Sequence, residues 1–235
     1  MQVTIPDGWP DTVGDAIAVQ DSLRPLVDAT DPRPPDFRTI AGIDSAYDES
    51  GLVAAAAVVL EAPTWQTATT SVAIGEASFP YVPGLLAFRE LPTALAALEQ
   101  LDATPDLLIC DGQGLAHPRR FGLACHLGIL AGIPTIGVAK NAWGDYTDPG
   151  PQRGARGDIR IDGEVVGRVL RTRTGVRPLF VSVGHLVDLD TACEQVLALT
   201  PHYRQPETTR QADQMCRRAL RDAVARRQRT LGAAG

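Results

Sequence analysis

Lysine is almost missing from this sequence: of 22 basic residues in 235, Lys140 alone is not an arginine. The exception marks a position where a compact ammonium does what a guanidinium fork does not. A basic surplus is missing too. The 22 Lys and Arg face 28 Asp and Glu, and the net charge of −6 excludes a uniformly basic nucleic-acid coat. The longest apolar run, Leu52 to Leu60, is too short to cross a bilayer, so no membrane association is expected. Met1 to Pro10 has no basic stretch leading into an apolar one, so no secretory signal and a cytoplasmic location are expected. Cys110, Cys125, Cys193 and Cys216 form no C-x-x-C pair, which leaves four buried thiols in a reducing compartment rather than zinc or thiol exchange. The G-x-G-x-x-G and G-K-S/T spacings are absent, which argues against a nucleotide cofactor. No G-x-S-x-G elbow accompanies Ser182 and His185, so a serine hydrolase is not expected.

What remains is 44% hydrophobic and 21% charged, enough for one compact domain over residues 1–235. Residues 13–28 read as an amphipathic helix with Ile17, Leu23, Leu26 and Val27 on its apolar side. It ends in the linker Asp31-Pro32-Arg33-Pro34-Pro35, so residues 1–37 form an N-terminal helix and linker. Strands are expected at Thr39–Asp44, Leu52–Leu60 and Thr67–Ile74, then a helix at Leu91–Leu101. Asp106–Cys110, a helix over Arg119–Leu130 and Ile133–Val138 make a βαβ unit, hence a parallel pair. Residues 144–158 read as a Gly/Pro-rich loop, Glu164–Arg171 and Leu179–Val183 as strands, and Asp190–Leu199 as a helix. Residues 207–229 form a basic helix. From Tyr203 onward, eight arginines meet only Glu207, Asp213 and Asp222, a face suited to phosphates or simply to solvent. The fold class is α/β: a mixed sheet, antiparallel in its first three strands and parallel after them, flanked by helices.

Acids at strand ends carry the chemical signal. Asp44 and Asp111 each follow a fully apolar strand, so both project from the sheet edge. Carboxylates brought together repel unless a cation neutralises them, and oxygen ligands without Cys or His suit Mg²⁺, with Mn²⁺ as a substitute. Either Asp alone equally fits a turn before glycine. Glu90, which starts a helix, is the third candidate, or an acid complementing the helix dipole. Pro80-Tyr81-Val82-Pro83-Gly84 is a stiff loop whose aromatic ring is set to wedge between bases, or to fold onto the core. Gly112 to Arg120 is a glycine-relaxed loop opening a helix, where Arg119 and Arg120 favour an anion and His117 orients a water or a phosphate. By position, His185 is placed beside the sheet edge that holds Asp111 and Lys140.

The run Asp111-Gly112-Gln113-Gly114-Leu115-Ala116-His117-Pro118-Arg119-Arg120-Phe121-Gly122-Leu123-Ala124, with Pro134-Thr135-Ile136-Gly137-Val138-Ala139-Lys140, resembles the signature of the endonuclease V family. Pro80 to Gly84 through Phe88-Arg89-Glu90 is similar to its wedge segment. Gly42-Ile43-Asp44, Gly184-His185 and Pro206 to Asp213 match further blocks in order, so the likeness spans residues 12–220. It implies a ribonuclease H-like fold. It also implies a monomeric DNA repair enzyme that recognises deoxyinosine in double- or single-stranded DNA. Metal-activated water would hydrolyse the second phosphodiester bond 3′ to the lesion, leaving 3′-hydroxyl and 5′-phosphate ends. Alternatives are an endoribonuclease acting at inosine in RNA and a noncatalytic binder of deaminated nucleic acid.

Carried over by position, the resemblance implies that Asp44, Glu90 and Asp111 are metal ligands and Asp213 a fourth or water-mediated one. Tyr81 becomes the wedge, Lys140 the cation at the scissile phosphate, and His117 its assistant. Pro80, Pro83, Gly84, Leu85, Gly112, Gly137, Arg119 and His185 complete the nucleic-acid-contacting set. Glycines such as Gly84, Gly112 and Gly137 suit a tight wall that accepts hypoxanthine N1–H and O6 and leaves no room for a 2-amino group. The chain departs from the family pattern at Gln113, where many relatives carry His. Val183 and Leu186 replace a proline and a basic residue, and Ser45-Ala46-Tyr47 follows Asp44 in place of an apolar-Ser pattern. None removes a candidate metal ligand; the change at Leu186 bears on phosphate contacts.

Overall fold

Runs of β-branched and alanine residues open the sheet. β1 (Thr39–Tyr47), β2 (Leu52–Glu61) and β3 (Gln66–Glu76) form an antiparallel meander in this computed structural model, which describes residues 1, 3, 8–30 and 36–232. The expected linker Asp31–Pro35 lies outside the described residues. α2 (Leu86–Glu99) then crosses to β4 (Leu107–Cys110), and α3 (Leu123–Ala131) links β4 to β5 (Thr135–Ala139). β4 is parallel to both β1 and β5. Beyond them come β6 (Asp145–Tyr146), β7 (Arg156–Ile161), β8 (Glu164–Leu170) and β9 (Leu179–His185). α4 (Leu189–Ala198) and α5 (Glu207–Gly232) follow, and α1 (Val13–Leu23) precedes them all.

Among the described residues these strands make one sheet in the order β3-β2-β1-β4-β5-β9-β8-β7-β6. The mixed architecture expected from the sequence is present, with its parallel part confined to β1, β4 and β5. β9 and the strands outside it return to antiparallel pairing.

Alternate residues of the central strands serve two cores. Ile40, Ala54, Leu107 and Ile109 face α4 and α5 through Val196, Ala212 and Cys216. Ala41, Ile43, Ala55 and Leu108 face α2 and α3 through Leu91, Leu95 and Leu127. Because β2 is buried on both sides, it reads as an unbroken apolar run. Gly42 lets α5 lie directly on β1: a Cβ there would fall 2.2 Å from the Thr208 carbonyl carbon. The four cysteines are free and buried. No described helix is long and apolar enough to cross a membrane.

Several element boundaries differ from the sequence reading. α2 starts at Leu86, five residues before the expected helix, and carries Pro92 inside it. A proline there leaves the carbonyl four residues back without its helical donor. Trp9 compensates, its indole N–H donating to the Phe88 carbonyl at 2.8 Å. α3 starts at Leu123, not Arg119, because the Arg120 N–H closes a turn onto His117 O and Gly122 is extended. Residues 144–158 are not all loop: β6 and the start of β7 lie there, paired only with each other and β8 at the sheet's edge. In α1 the buried residues are Ala16 and Gln20; Leu26, expected on the apolar side, is exposed.

Candidate active site

Strand register brings the first two acids together. β1 and β4 run parallel with Ile43 opposite Cys110, so the next residues, Asp44 and Asp111, stand side by side. Glu90 reaches them from α2 on one face of the sheet and Asp213 from α5 on the other. A cleft of about 450 Å³ is lined by these four acids together with Lys140 and Arg217. Among the described residues no three His, Cys, Asp or Glu side chains close around one point as a finished metal cage. Instead, the Lys140 ammonium donates a hydrogen bond to Asp111 Oδ2, and Arg217 Nε donates to Asp213 Oδ1 at 2.6 Å.

The cleft carries more negative charge than its cations balance. Burial and then the Asp111 charge push the Asp44 carboxyl up to about 7, against a hydrogen bond from the Ser45 N–H. Burial, then Asp44 and Asp111, push Glu90 up to about 8. Partial burial works against the Lys140 ammonium, but the Asp111 hydrogen bond and the surrounding carboxylates outweigh it and hold its pKa above the ordinary lysine value. Carboxylates pushed towards their protonated form by burial and by one another fit a divalent cation, and the oxygen-only donor set fits Mg²⁺ or Mn²⁺.

A second cavity adjoins the first. It measures about 570 Å³, and Tyr81, Gly84, Gly112, His117 and Trp143 are among its walls. Asp111 and Lys140 line both cavities. Tyr81 stands 62% exposed at the rim, so it is a presented ring and not a core tyrosine. Its loop is anchored on both sides. Arg89 Nη1 donates to the Phe79 carbonyl at 2.9 Å while its guanidinium lies over the Tyr47 ring. On the other side, Arg119 Nη2 and Gln20 Nε2 donate to the Gly84 carbonyl at 2.7 and 3.1 Å. His117 is buried; burial first and Arg119 second lower its pKa to about 4, so it faces the cavity neutral near pH 7.

Other residues named from the sequence fall elsewhere. β9 runs antiparallel to β5, so Phe180 pairs with Ala139 beside Lys140, and His185 pairs with Thr135 at the far end. The expectation that His185 adjoins Asp111 and Lys140 is therefore corrected; its Nδ1 accepts the Asp28 N–H at 3.2 Å. Arg119 is spent inside the protein, on Gln20 and Gly84, and Arg120 on the Ile161 carbonyl and Glu164, so neither is a free anion ligand at a helix start. The Leu85 side chain is buried, packed among Ala16, Phe79 and Phe88. Gly137 lies beneath the loop, where a Cβ would meet Gly114 N at 2.6 Å, whereas Gly84, Gly112 and Pro83 line the cavity itself. Pro80 is exposed beside Tyr81.

Gln20 went unnoticed in the sequence, where a single glutamine on a helix carries no signal. Only its spacing from Ala16, one helical turn, hinted at a buried stripe. Buried to 1% exposure, it donates to the Gly84 and Phe121 carbonyls and accepts from Arg119 Nε at 2.6 Å. Replacing Gln20 with Leu leaves the Phe121 carbonyl and Arg119 Nε without these partners. We expect stability to fall by about 1–2 kcal/mol. Chemical denaturation of the variant beside the parent checks this.

A sheet that opens as an antiparallel meander and continues through parallel β4 and β5, with acids gathered just past the paired stretch of β1 and β4, defines the ribonuclease H-like class. The chain matches the family described as Endonuclease V over residues 21–214, and it belongs to that family, a family of nucleases. It is 66% identical to an endonuclease V of Nocardia farcinica over 216 residues, covering 92% of this chain and 96% of the relative. The crystal structure of endonuclease V from Streptomyces avermitilis superposes with a TM-score of 0.89 at 57% identity, covering 95% of this chain and all of the other. Endonuclease V of Ciona intestinalis, solved with a 24mer DNA containing an inosine followed by a ribo-adenosine, superposes with a TM-score of 0.81. It is 27% identical, covering 91% of this chain and all of the other.

Proposed function

We propose that this chain recognises a hypoxanthine base in DNA and hydrolyses the second phosphodiester bond on its 3′ side, leaving 3′-hydroxyl and 5′-phosphate ends. The observation that carries the proposal is the junction of the two cavities. A glycine-walled pocket with an aromatic at its rim opens beside a carboxylate cleft, and Asp111 and Lys140 belong to both. A displaced base in the first leaves its own strand lying across the second. The inosine-bearing DNA held by the Ciona relative agrees with this use of the fold.

Each side chain then has a task. Asp44, Glu90, Asp111 and Asp213 would hold a divalent cation, which would supply Lewis-acid charge and a water of lowered pKa. Lys140, which donates to Asp111 and lines both cavities, would meet a non-bridging phosphate oxygen. Its single charge and freely turning N–H groups suit a moving phosphate better than a planar fork. Tyr81 fills the gap left by the displaced base, and neutral His117 offers a ring nitrogen to the strand between the sites.

The test is a nicking assay on one inosine-containing duplex with Mg²⁺ and with chelator, mapping the cut, beside a matched RNA strand. Metal-dependent nicking of the DNA one nucleotide beyond the lesion supports the proposal. Cutting of the RNA alone, or cutting without regard to inosine, overturns it. Truncation of Tyr81 to Ala is expected to weaken inosine-strand binding about tenfold, a stacking contribution of about 1–2 kcal/mol. Cutting at saturating enzyme should change far less. Unchanged affinity in a binding titration would remove the wedge role.

A further inference from the structure

A groove of about 860 Å³ runs between the edge strand β3 and the outer face of α5, and Arg221 lines both this groove and the carboxylate cleft. Thr70, Arg210, Gln214, Arg218 and Arg226 also line it. Residues 211, 214, 218, 222 and 226 recur at steps of three and four, so they share one side of α5. Positions 210 to 226 extend ~24 Å along the helix. Arg210 is taken up by Glu207 and lies over the Tyr203 ring. Arg218, Arg221 and Arg226 are exposed and form no ion pair among the described residues. Asp222 is the one acid lining the groove.

We infer that this arginine-lined groove of α5 binds the phosphate backbone of the nucleic-acid strand on one side of the reacting segment. The inference rests on the proposed function for the direction of the strand, but its own content is the groove and its occupant. Charge complementarity selects that occupant: unpaired guanidinium groups stand out on a chain of net charge −6, spaced along a track that opens into the cleft. Val72, Met215 and Ala219 also line the groove, half-buried against the core, while exposed Thr70, Gln214 and the guanidinium groups provide hydrogen bonds to phosphate or sugar. Because such contacts carry no base information, they add affinity and salt dependence without altering which base is recognised.

The experiment uses the full chain carrying Arg218→Gln with Arg226→Gln, neither of which lines the carboxylate cleft. Binding is measured over a salt series in chelator. The probes are a short inosine oligonucleotide, the same strand extended on its 5′ or its 3′ side, and an extended strand without inosine. The parent is expected to bind one extended strand more tightly than the short one. The variant should lose about tenfold on that strand, with a log–log salt slope smaller by about 1–1.5, as two fewer phosphate contacts require. Binding of the short strand, its cutting in Mg²⁺ and the melting temperature should match the parent. Equal salt slopes for parent and variant on every extended strand would overturn the inference, and so would an equal loss on the short strand. Failure of the parent to cut the short inosine strand would count against the proposed function alone, since the strand without inosine still reports on the groove.

Discussion

Replacing Asp44 by Asn is expected to lower cutting of an inosine duplex by ~10³-fold or more, the scale seen when one electrostatic group of a reaction centre is removed. It should also raise the melting temperature measured without metal. The second result follows from the sign of the linkage. Burial and Asp111 raise the folded-state pKa of Asp44 from 3.8 to about 7, so the native protein binds this proton more tightly than the unfolded chain does. The ionised carboxylate therefore costs stability. That cost grows as pH rises from about 4 to 7 and is constant above. Asparagine keeps the shape and removes the cost, so the variant gains most at pH 8 and nothing near pH 4. Added Mg²⁺ should stabilise the parent and leave the variant nearly unchanged. A variant that is less stable at pH 8 would show that Asp44 is a structural residue and not one of a crowded set of ligands. Retained cutting would remove it from the site altogether.

That Asp44 and Asp111 are neighbours was legible because each follows an apolar run, and a meander continued by parallel strands can set the first strand beside the fourth; that β1 runs on past Asp44 to Tyr47, paired with β2, was not. Lys140 was legible as the lone lysine. Asp213 could be placed only through the family block that contains it, since nothing in its own surroundings separates it from any acid on a charged helix. Glu90 was found, but in the wrong setting. The helix begins five residues earlier than Leu91 and runs through Pro92, and the sequence does not reveal that Trp9, some eighty residues away, supplies the donor the Phe88 carbonyl needs. His185 was misplaced for a topological reason. A strand following a long loop can enter the sheet in either direction, and the direction decides which of its ends meets Lys140. Arg119 shows a third limit: a guanidinium beside a glycine loop looks available until Gln20, from another helix, accepts its N–H.

His126 should make the acid side of the stability curve steeper, and His126→Phe should relieve it by about 2 kcal/mol at pH 5. The ring is 1% exposed, stacked on Trp9 with centroids 5.6 Å apart and packed against Phe88 and Phe121, and neither nitrogen has a hydrogen-bond partner among the described residues. Nothing there solvates a positive charge, and burial lowers its pKa from 6.5 to about 4. Here the unfolded chain binds the proton more tightly. Stability is full above pH 6.5, falls as pH drops through the interval between 6.5 and 4, and is lost in full, about 3 kcal/mol, below it. The whole protein does not show this slope alone. Asp44 and Glu90 titrate with the opposite sign over overlapping pH ranges, and His117, also lowered to about 4, adds to it. The difference between parent and His126→Phe isolates the one group. Phenylalanine retains the aromatic packing and removes two unsatisfied nitrogens, so denaturation midpoints should coincide or favour the variant at pH 7.5 and diverge steadily towards pH 5. A constant difference across that range would mean that His126 finds a partner for its proton in solution, and that the aromatic cage around it opens to water.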